Sequence, residues 1–221
     1  MTDKPVGNES LAEKCGRMAQ LYDKDKETHR WNGPHVLFGL LFDYINPGAT
    51  ILDIGIGTGL GSMPFFKAGL KVYGMDISPE MLSVCENKRI AAELKVHDLT
   101  KTPYPYADSS INHAICVGVL NHFETLDPVF IETSRILKAQ GVFGFIVGDR
   151  KKDEEAMFEI QHAGSCHTMY RHGTDQINSL LLVHGFCLLR ELEFIMPVHE
   201  NDGKPNSLKA YVAGKGFISN V

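Results

Sequence analysis

Residues 50–59 read TILDIGIGTG, and this stretch decides the fold. Its first half, Thr50–Ile54, is a short apolar run of the kind that forms a buried strand. Three alternating glycines follow: Gly55, Gly57 and Gly59. Glycine permits positive φ and a close approach of the backbone to a ligand. The stretch therefore predicts a strand that turns into a helix, with a ligand at the carboxyl edge of a sheet.

The rest of the chain continues the strand–helix alternation. Further strands are predicted at Lys71–Asp76, Leu94–Asp98, Ile111–Val117, Val142–Val147, Phe186–Met196 and Leu208–Lys215. Helices are predicted after the glycines to Gly69, from Ser78, from Asp127 to Gly141, and from Thr174 to Gly185, with two more between Glu9 and Tyr44. This alternation indicates an α/β fold with a mostly parallel sheet and helices on both faces. The last two strands, joined by a turn at 200–206, should pair antiparallel.

Composition narrows the class of protein. The 221 residues are 43% hydrophobic and 22% charged, which is ordinary for a globular chain and excludes disorder. The net charge of −5 lacks the basic excess of nucleic-acid-binding proteins, so no nucleic acid partner is expected. No apolar run is long enough to span a membrane. A polar start and five widely separated cysteines predict a cytoplasmic protein with reduced thiols.

The residues around the three glycines distinguish a dinucleotide-binding site from other nucleotide-binding sites. A dinucleotide fingerprint needs a third glycine three residues after the second, and Leu60, Ser62 and Pro64 occupy those places. Instead, Asp53 precedes the glycines, and the pattern resembles the first motif of class I S-adenosylmethionine (AdoMet) methyltransferases, acid-x-Gly-x-Gly-x-Gly. The resemblance implies that Gly55, Gly57 and Gly59 bind AdoMet and that Asp53 attracts its ammonium directly or through water. A glycine-rich turn without a ligand is the alternative.

Asp76 lies at the end of the second predicted strand, where an acid commonly binds a ribose diol. The Ser-Pro-x-Met sequence of residues 78–81 resembles the second motif of the same family. By that resemblance, Asp76 binds the ribose, while Ile77 and Met81 pack on the adenine. An acid with only local hydrogen bonds is the alternative.

Two further strand ends complete the predicted cofactor site. The resemblance places Asp98 at the adenine amino group and the backbone of Leu99 near the ring. It places Val117 and Gly118 against the methionine moiety. His122 follows them and is the one candidate catalytic residue, as a proton acceptor; a structural imidazole is equally consistent with the sequence.

The resemblance implies a seven-stranded Rossmann-like sheet in the order 3-2-1-4-5-7-6, with strand 7 antiparallel. In pattern the chain looks most like small-molecule methyltransferases of the ubiquinone/menaquinone-biosynthesis type. We expect cap helices in residues 1–47, which we call the cap, and a single AdoMet-binding domain in 48–221. Within the cap, Tyr22 and Trp31 are candidates to touch the cofactor. Residues 149–173 are expected to form a lid or a wall of the acceptor pocket.

The predicted function is in-line methyl transfer from AdoMet to a small-molecule acceptor. No metal is expected, because the spacing of His162, Cys166, His167 and His172 does not match a compact zinc motif. Two alternatives stay open: an AdoMet-binding regulatory or partner-binding protein without turnover, and a nicotinamide-dependent reductase, which the missing third glycine disfavours.

Overall fold

The computed structural model describes residues 10–162, 165–196 and 206–217. Within them the strands are β1 Thr50–Ile54, β2 Lys71–Asp76, β3 Ala91–Val96, β4 Ile111–Cys116, β5 Leu137–Asp149, β6 Met157–His162, β7 Ser165–His172, β8 Phe186–Met196 and β9 Asn206–Lys215. The helices are α1 Leu11–Met18, α2 Tyr22–Thr28, α3 Gly33–Leu41, α4 Met63–Lys67, α5 Pro79–Asn87, α6 Asp127–Ile136 and α7 Thr174–Val183. Single 3-10 turns span Phe42–Tyr44 and Leu120–His122. No helix in these ranges is long and apolar enough to cross a membrane.

The predicted strand order is confirmed. β3, β2, β1, β4 and β5 are parallel neighbours in that order, and β9 pairs antiparallel with both β5 and β8. If β8 and β9 are counted as the sixth and seventh strands, the order is 3-2-1-4-5-7-6. A sheet of this kind brings the carboxyl ends of β1 to β4 to one edge, where ligands of open α/β sheets bind.

The hairpin of β6 and β7 is an addition that the sequence did not predict. β7 pairs parallel with the last residues of β5, Gly148 with Arg171 and Asp149 with His172. One edge of β5 pairs with β9 as far as Gly148, so β7 pairs with the opposite edge, the one that β4 occupies earlier in the strand. β7 therefore lies beyond the end of β4. The hairpin thus extends the sheet at the same carboxyl edge.

Helices cover both faces of the sheet. On one face, α6 and α7 bury Phe130 and Ile177 against β4, β5 and β9. On the other, α3, α4 and α5 contribute Leu37, Phe65 and Cys85 to a second core. The apolar sequence of α3 explains its burial, because a helix that is hydrophobic on nearly all sides cannot present a polar face to water.

Several predicted boundaries were wrong. α6 ends at Ile136 rather than at Gly141, because the chain enters β5 directly at Leu137. Gly141 has a different role there: a Cβ at this residue would lie 2.5 Å from the carbonyl oxygen of Asn112 on β4. The glycine therefore lets two strands approach closely and does not end a helix.

Other elements are shorter or shifted. The described part of the cap, residues 10–47, contains three α-helices rather than two, and α2 ends before Arg30, whose φ of 51° breaks the helix. The helix after the glycines is only Met63–Lys67, and β3 ends at Val96, two residues before Asp98. The turn predicted at 200–206 lies outside the described residues except for its last position.

An ion-pair network holds the loop that follows β3. Glu132 on α6 is buried, and its carboxylate accepts a hydrogen bond from the backbone N–H of Tyr104 at 2.6 Å. Arg135 donates to Glu132 at 2.6 Å and to the carbonyl of Tyr104 at 3.1 Å. The Tyr104 hydroxyl in turn donates to the carbonyl of Leu99 at 3.1 Å. The loop that carries Asp98 and Leu99 is thus fixed to α6.

Candidate functional site

A cavity of about 300 Å³ lies at the carboxyl edge of the sheet. It is enclosed by the cap, by the glycine loop (residues 55–59), by the ends of β2 and β3, and by the segment after β4. Its lining residues are Leu11, Cys15, Tyr22, Trp31, Gly55, Ile56, Gly57, Leu60, Gly61, Asp76, Ile77, Met81, Asp98, Leu99, Thr100, Val117, Gly118, Val119, His122 and Phe123.

The structure brings ten of the predicted site residues around this one cavity. They are Gly55, Gly57, Asp76, Ile77, Met81, Asp98, Leu99, Val117, Gly118 and His122. Gly59 and Asp53 do not line it. A Cβ at Gly59 would lie 2.4 Å from Ile90 Cδ1 and 2.9 Å from the sulfur of Cys85, so this glycine packs the loop against α5 and the residues after it.

The carboxylate of Asp76 connects the end of β2 to the glycine loop. One oxygen accepts a hydrogen bond from the backbone N–H of Gly57 at 2.8 Å, and the other accepts from the N–H of Ser78 at 2.9 Å. Ser78 is also the N-cap of α5, where its hydroxyl accepts from the N–H of Met81. Burial raises the pKa of Asp76, and the backbone donors oppose that shift. The carboxylate is therefore fixed in orientation at the cavity wall.

Asp53 lies buried behind the cavity wall with half of its carboxylate unsatisfied. Its Oδ2 accepts from the hydroxyl of Ser62 at 2.7 Å, whereas Oδ1 has no partner among the described residues. Burial raises the pKa of Asp53 to about 7; the Ser62 hydrogen bond lowers it, and the charge of Asp76 raises it. A buried acceptor without a donor is costly, so this position suits a nearby cationic group or a bound water.

Gly61 separates Asp53 from the cavity. It lines the cavity, and a Cβ on it would lie 3.0 Å from Asp53 Oδ2. The carboxylate is thus one glycine backbone away from the cavity. The sequence reasoning missed Gly61, although the continued alternation from Gly57 through Gly59 to Gly61 was a readable signal.

The side chains that line the cavity carry a net negative charge. Asp76 and Asp98 are the acids among its lining residues, and that set contains no Lys or Arg. Such a cavity favours a cationic ligand and offers no side chain to pair with a phosphate. The apolar walls come partly from Tyr22 and Trp31 of the cap, both of which reach the cavity.

His122 stands in the 3-10 turn Leu120–His122 and lines the cavity. Two neighbours hold this turn in place. The side-chain oxygen of Asn121 accepts from the N–H of Gly148 on β5 at 2.7 Å. Burial lowers the pKa of His172 on β7, and the nearby backbone of Leu120 and of Phe123 opposes that shift; β7 as a whole packs against this turn. The β6–β7 hairpin therefore supports the turn that carries His122.

A metal site in the His-rich segment stays untested. The described part of the chain contains no cluster of three His, Cys, Asp or Glu side chains suited to a metal ion. The side chains of His162, Cys166 and His167 lie outside that part.

The sequence of this chain is similar to those of known methyltransferases. Residues 52–145 match the sequence model of a family described as "Methyltransferase domain". The demethylmenaquinone methyltransferase of Tropheryma whipplei is 26% identical over 132 residues, which cover 57% of this chain and 53% of that protein. The malonyl-[acyl-carrier protein] O-methyltransferase of Serratia marcescens is 24% identical over 219 residues, which cover 92% of this chain and 84% of that protein. This chain thus spans about half the length of the first relative and most of the second.

The fold also matches solved structures. The crystal structure of a SAM-dependent methyltransferase from Methanosarcina mazei superposes with a TM-score of 0.68 at 19% identity, covering 80% of this chain and 96% of that one. At this level of identity the match concerns the fold.

The raised pKa of Asp53 predicts an unusual pH dependence of stability. A carboxyl whose pKa is higher in the folded state than in the unfolded state stabilises the fold at low pH, and this contribution is lost as pH rises from about 4 through about 7. The loss is of order 1.4 kcal/mol per pH unit over that window. Urea unfolding of the wild type and of Asp53→Asn at pH 4 to 8 should show the wild type losing stability relative to the variant as pH rises.

Asp98→Asn is the matched control, because hydrogen bonds from Thr100 lower the pKa of Asp98 against the opposing effect of burial. The free energy of unfolding of the wild type, relative to that of Asp98→Asn, should therefore increase as pH rises. Parallel stability curves for wild type and Asp53→Asn would show that the buried carboxyl titrates normally.

Proposed function

We propose that this chain, a member of the class I AdoMet-dependent methyltransferases, transfers a methyl group from AdoMet to a small-molecule acceptor. The observation that carries the proposal is the acidic cavity beside the glycine loop. Asp76 and Asp98 line it, Asp53 lies behind it with an unpartnered oxygen, and its lining residues include no Lys or Arg. AdoMet is a nucleoside with a sulfonium and an ammonium and without phosphates, and it matches these features.

The residues present fit each part of AdoMet. Asp76 would hold the ribose hydroxyls, since its carboxylate is fixed at the cavity wall and still has acceptor capacity. Ile77 and Met81 supply an apolar surface for the adenine, and Asp98 an acceptor for its amino group. Asp53 would compensate the positive charge of the AdoMet ammonium across the backbone of Gly61, which lies between the two groups.

The reductase alternative fits poorly. A nicotinamide dinucleotide carries a pyrophosphate, which needs backbone donors at a helix N-terminus or basic side chains. Here the backbone N–H of Gly57 is already bonded to Asp76, and the lining residues include no Lys or Arg. Two acids at the wall would repel the pyrophosphate.

The chain's own residues would position the reactants and exclude water. When bound, AdoMet supplies a methyl group already activated by the sulfonium. Trp31, Val119 and Phe123 form apolar walls that keep water from the reacting centre. The hydrogen bond from the Gly57 N–H to Asp76 fixes the glycine loop beside the ribose site, so that bound AdoMet would have a single orientation. His122 would take the proton if the acceptor is a hydroxyl or a carbon acid.

The acceptor is a neutral small organic molecule in this proposal. No Lys or Arg is among the residues that line the cavity, and this argues against an anionic group at the transfer site. Residues of the cap line the cavity, and the β6–β7 hairpin packs against the turn that carries His122. We propose that these two segments select the acceptor. The demethylmenaquinone methyltransferase named above supports a hydroquinone-like acceptor as the first candidate. No nucleic acid partner is proposed. The four cysteines whose side chains are described, Cys15, Cys85, Cys116 and Cys187, form no disulfide bond, which supports a cytoplasmic setting.

The test is turnover. Purified protein should convert AdoMet to S-adenosylhomocysteine in the presence of one member of a panel of hydroquinones, phenols and thiols, with a methylated product of +14 mass units in the mass spectrum. Malonyl thioesters, which carry a carboxylate, should not be methylated. Tight AdoMet binding without turnover on any acceptor would favour the regulatory alternative. Failure to bind AdoMet, or quenching of reduced nicotinamide fluorescence, would overturn the proposal.

Gly57→Val should abolish AdoMet binding in a protein that still folds. Gly57 has a φ of +52°, and a Cβ there would point into open space at the cavity, so valine would occupy cofactor volume. We expect the Kd measured by calorimetry to rise about 100-fold or more, which is ~2.7 kcal/mol. Gly48→Val is the matched control, because Gly48 also has positive φ and open space but lies in the turn before β1. Equal losses in both variants would attribute the effect to backbone strain alone.

His122→Ala tests proton transfer once the acceptor is known. A general base contributes about 10²–10⁴-fold to kcat, so a loss in that range with unchanged AdoMet affinity is expected for a hydroxyl or carbon-acid acceptor. A decrease of less than ~10-fold at saturating AdoMet would show that His122 only lines the pocket.

A further inference from the structure

A polar contact fastens the cap to the glycine loop. The hydroxyl of Thr58 donates to Oδ1 of Asp23 on α2 at 2.6 Å. The ammonium of Lys88, immediately after α5, forms an ion pair with Oδ2 of the same carboxylate. Lys88 also donates to the carbonyl oxygen of Thr58 at 2.8 Å. One carboxylate thus joins three elements that enclose the cavity.

Each partner in this contact is adjacent to the cofactor site. Thr58 is buried and lies next to Gly57, whose N–H is bonded to Asp76. Lys88 follows the helix that begins at Ser78 and contributes Met81 to the cavity. Asp23 is the second residue of α2, directly after Tyr22, which also lines the cavity. A change at Asp23 therefore acts on the glycine loop and on the cap together.

The outer helices of the cap have little apolar packing of their own. Neither α1 nor α2 contains a fully buried residue, whereas α3 buries Leu37 and Leu41 completely. Helices with few buried apolar contacts open locally at low free-energy cost. Because Leu11, Cys15 and Tyr22 of these helices line the cavity, their opening would expose it.

We propose that Asp23 is a positioning residue: its contact with Thr58 and Lys88 holds α1 and α2 closed over the cavity and limits the rate at which AdoMet leaves. The inference rests on the proposed function, since the ligand is AdoMet. Charge-assisted hydrogen bonds to a carboxylate are stronger than neutral ones, and here they fix the part of the cap that packing leaves loose. Removing the carboxylate should leave the ribose and adenine contacts intact and shorten the time that the ligand stays bound.

The chain contains its own reporter for this test. Trp31 is the only tryptophan, lines the cavity, and lies 3.9 Å from the position of a Cβ on Gly118. Stopped-flow mixing of the full chain with increasing AdoMet, followed by tryptophan fluorescence, gives association and dissociation rates. We expect Asp23→Ala to raise the dissociation rate about 10-fold. Asp43→Ala is the matched control, because Asp43 forms an exposed ion pair with Arg190 away from the glycine loop, and its dissociation rate should equal that of wild type.

Two further measurements separate positioning from general destabilisation. Lys88→Met should raise the dissociation rate as Asp23→Ala does, and the double variant should show no further increase, because the two residues act in one contact. In the ligand-free protein, amide hydrogen exchange in α1 and α2 should accelerate in Asp23→Ala, while exchange in α3 stays unchanged.

If Asp23→Ala changes neither the dissociation rate of AdoMet nor the amide hydrogen exchange of α1 and α2, the inference is wrong, although AdoMet binding itself stands. Additive effects of Asp23→Ala and Lys88→Met would do the same. If wild-type protein gives no AdoMet signal by fluorescence or calorimetry, the proposed function itself fails, and this inference fails with it.

Discussion

The carboxylate of Asp76 is the constraint on which the site depends. It lies at the end of β2, is largely buried, and accepts backbone hydrogen bonds from the glycine loop and from the first turn of α5. These bonds fix three elements relative to one another and orient the carboxylate at the cavity wall. Asp53, buried nearby with an unpartnered oxygen, adds a second negative group that the fold leaves incompletely compensated. A cationic ligand in the cavity would compensate the charge of these two carboxylates.

Much of the fold could be predicted from the sequence because it depends on local pattern. The strand at Thr50–Ile54, the strand at Lys71–Asp76 and the N-cap at Ser78 are encoded by contiguous residues, and the structure has them at the predicted positions. Parallel pairing then follows from the alternation of strands and helices. The end of α6 was wrong because Gly141 resembles a helix stop locally, whereas its actual requirement comes from the carbonyl oxygen of Asn112 on another strand.

The same distinction applies to the candidate site. Strand-end residues such as Asp76, Asp98 and Gly118 were predicted to share a site, and the structure brings them to one cavity, because parallel strands end at one edge. The contributions of Leu11 and Cys15 could not be predicted, since they depend on how the cap packs on the sheet. The hairpin of β6 and β7 was missed because residues 149–173 are rich in charged residues and then in His, and this sequence breaks the strand–helix alternation on which the prediction relied. It nevertheless supports the turn of His122 through His172.

The structure of the protein with S-adenosylhomocysteine is the most direct measurement of the central claim, that the acidic cavity beside Asp76 is an AdoMet site. The ribose hydroxyls should lie within about 3.2 Å of the Asp76 carboxylate. The adenine should lie beside Ile77, and the ammonium on the Gly61 side, toward Asp53. A nucleoside bound elsewhere on the molecule, or a cavity in which Asp76 keeps only its bonds to Gly57 and Ser78, would contradict that claim.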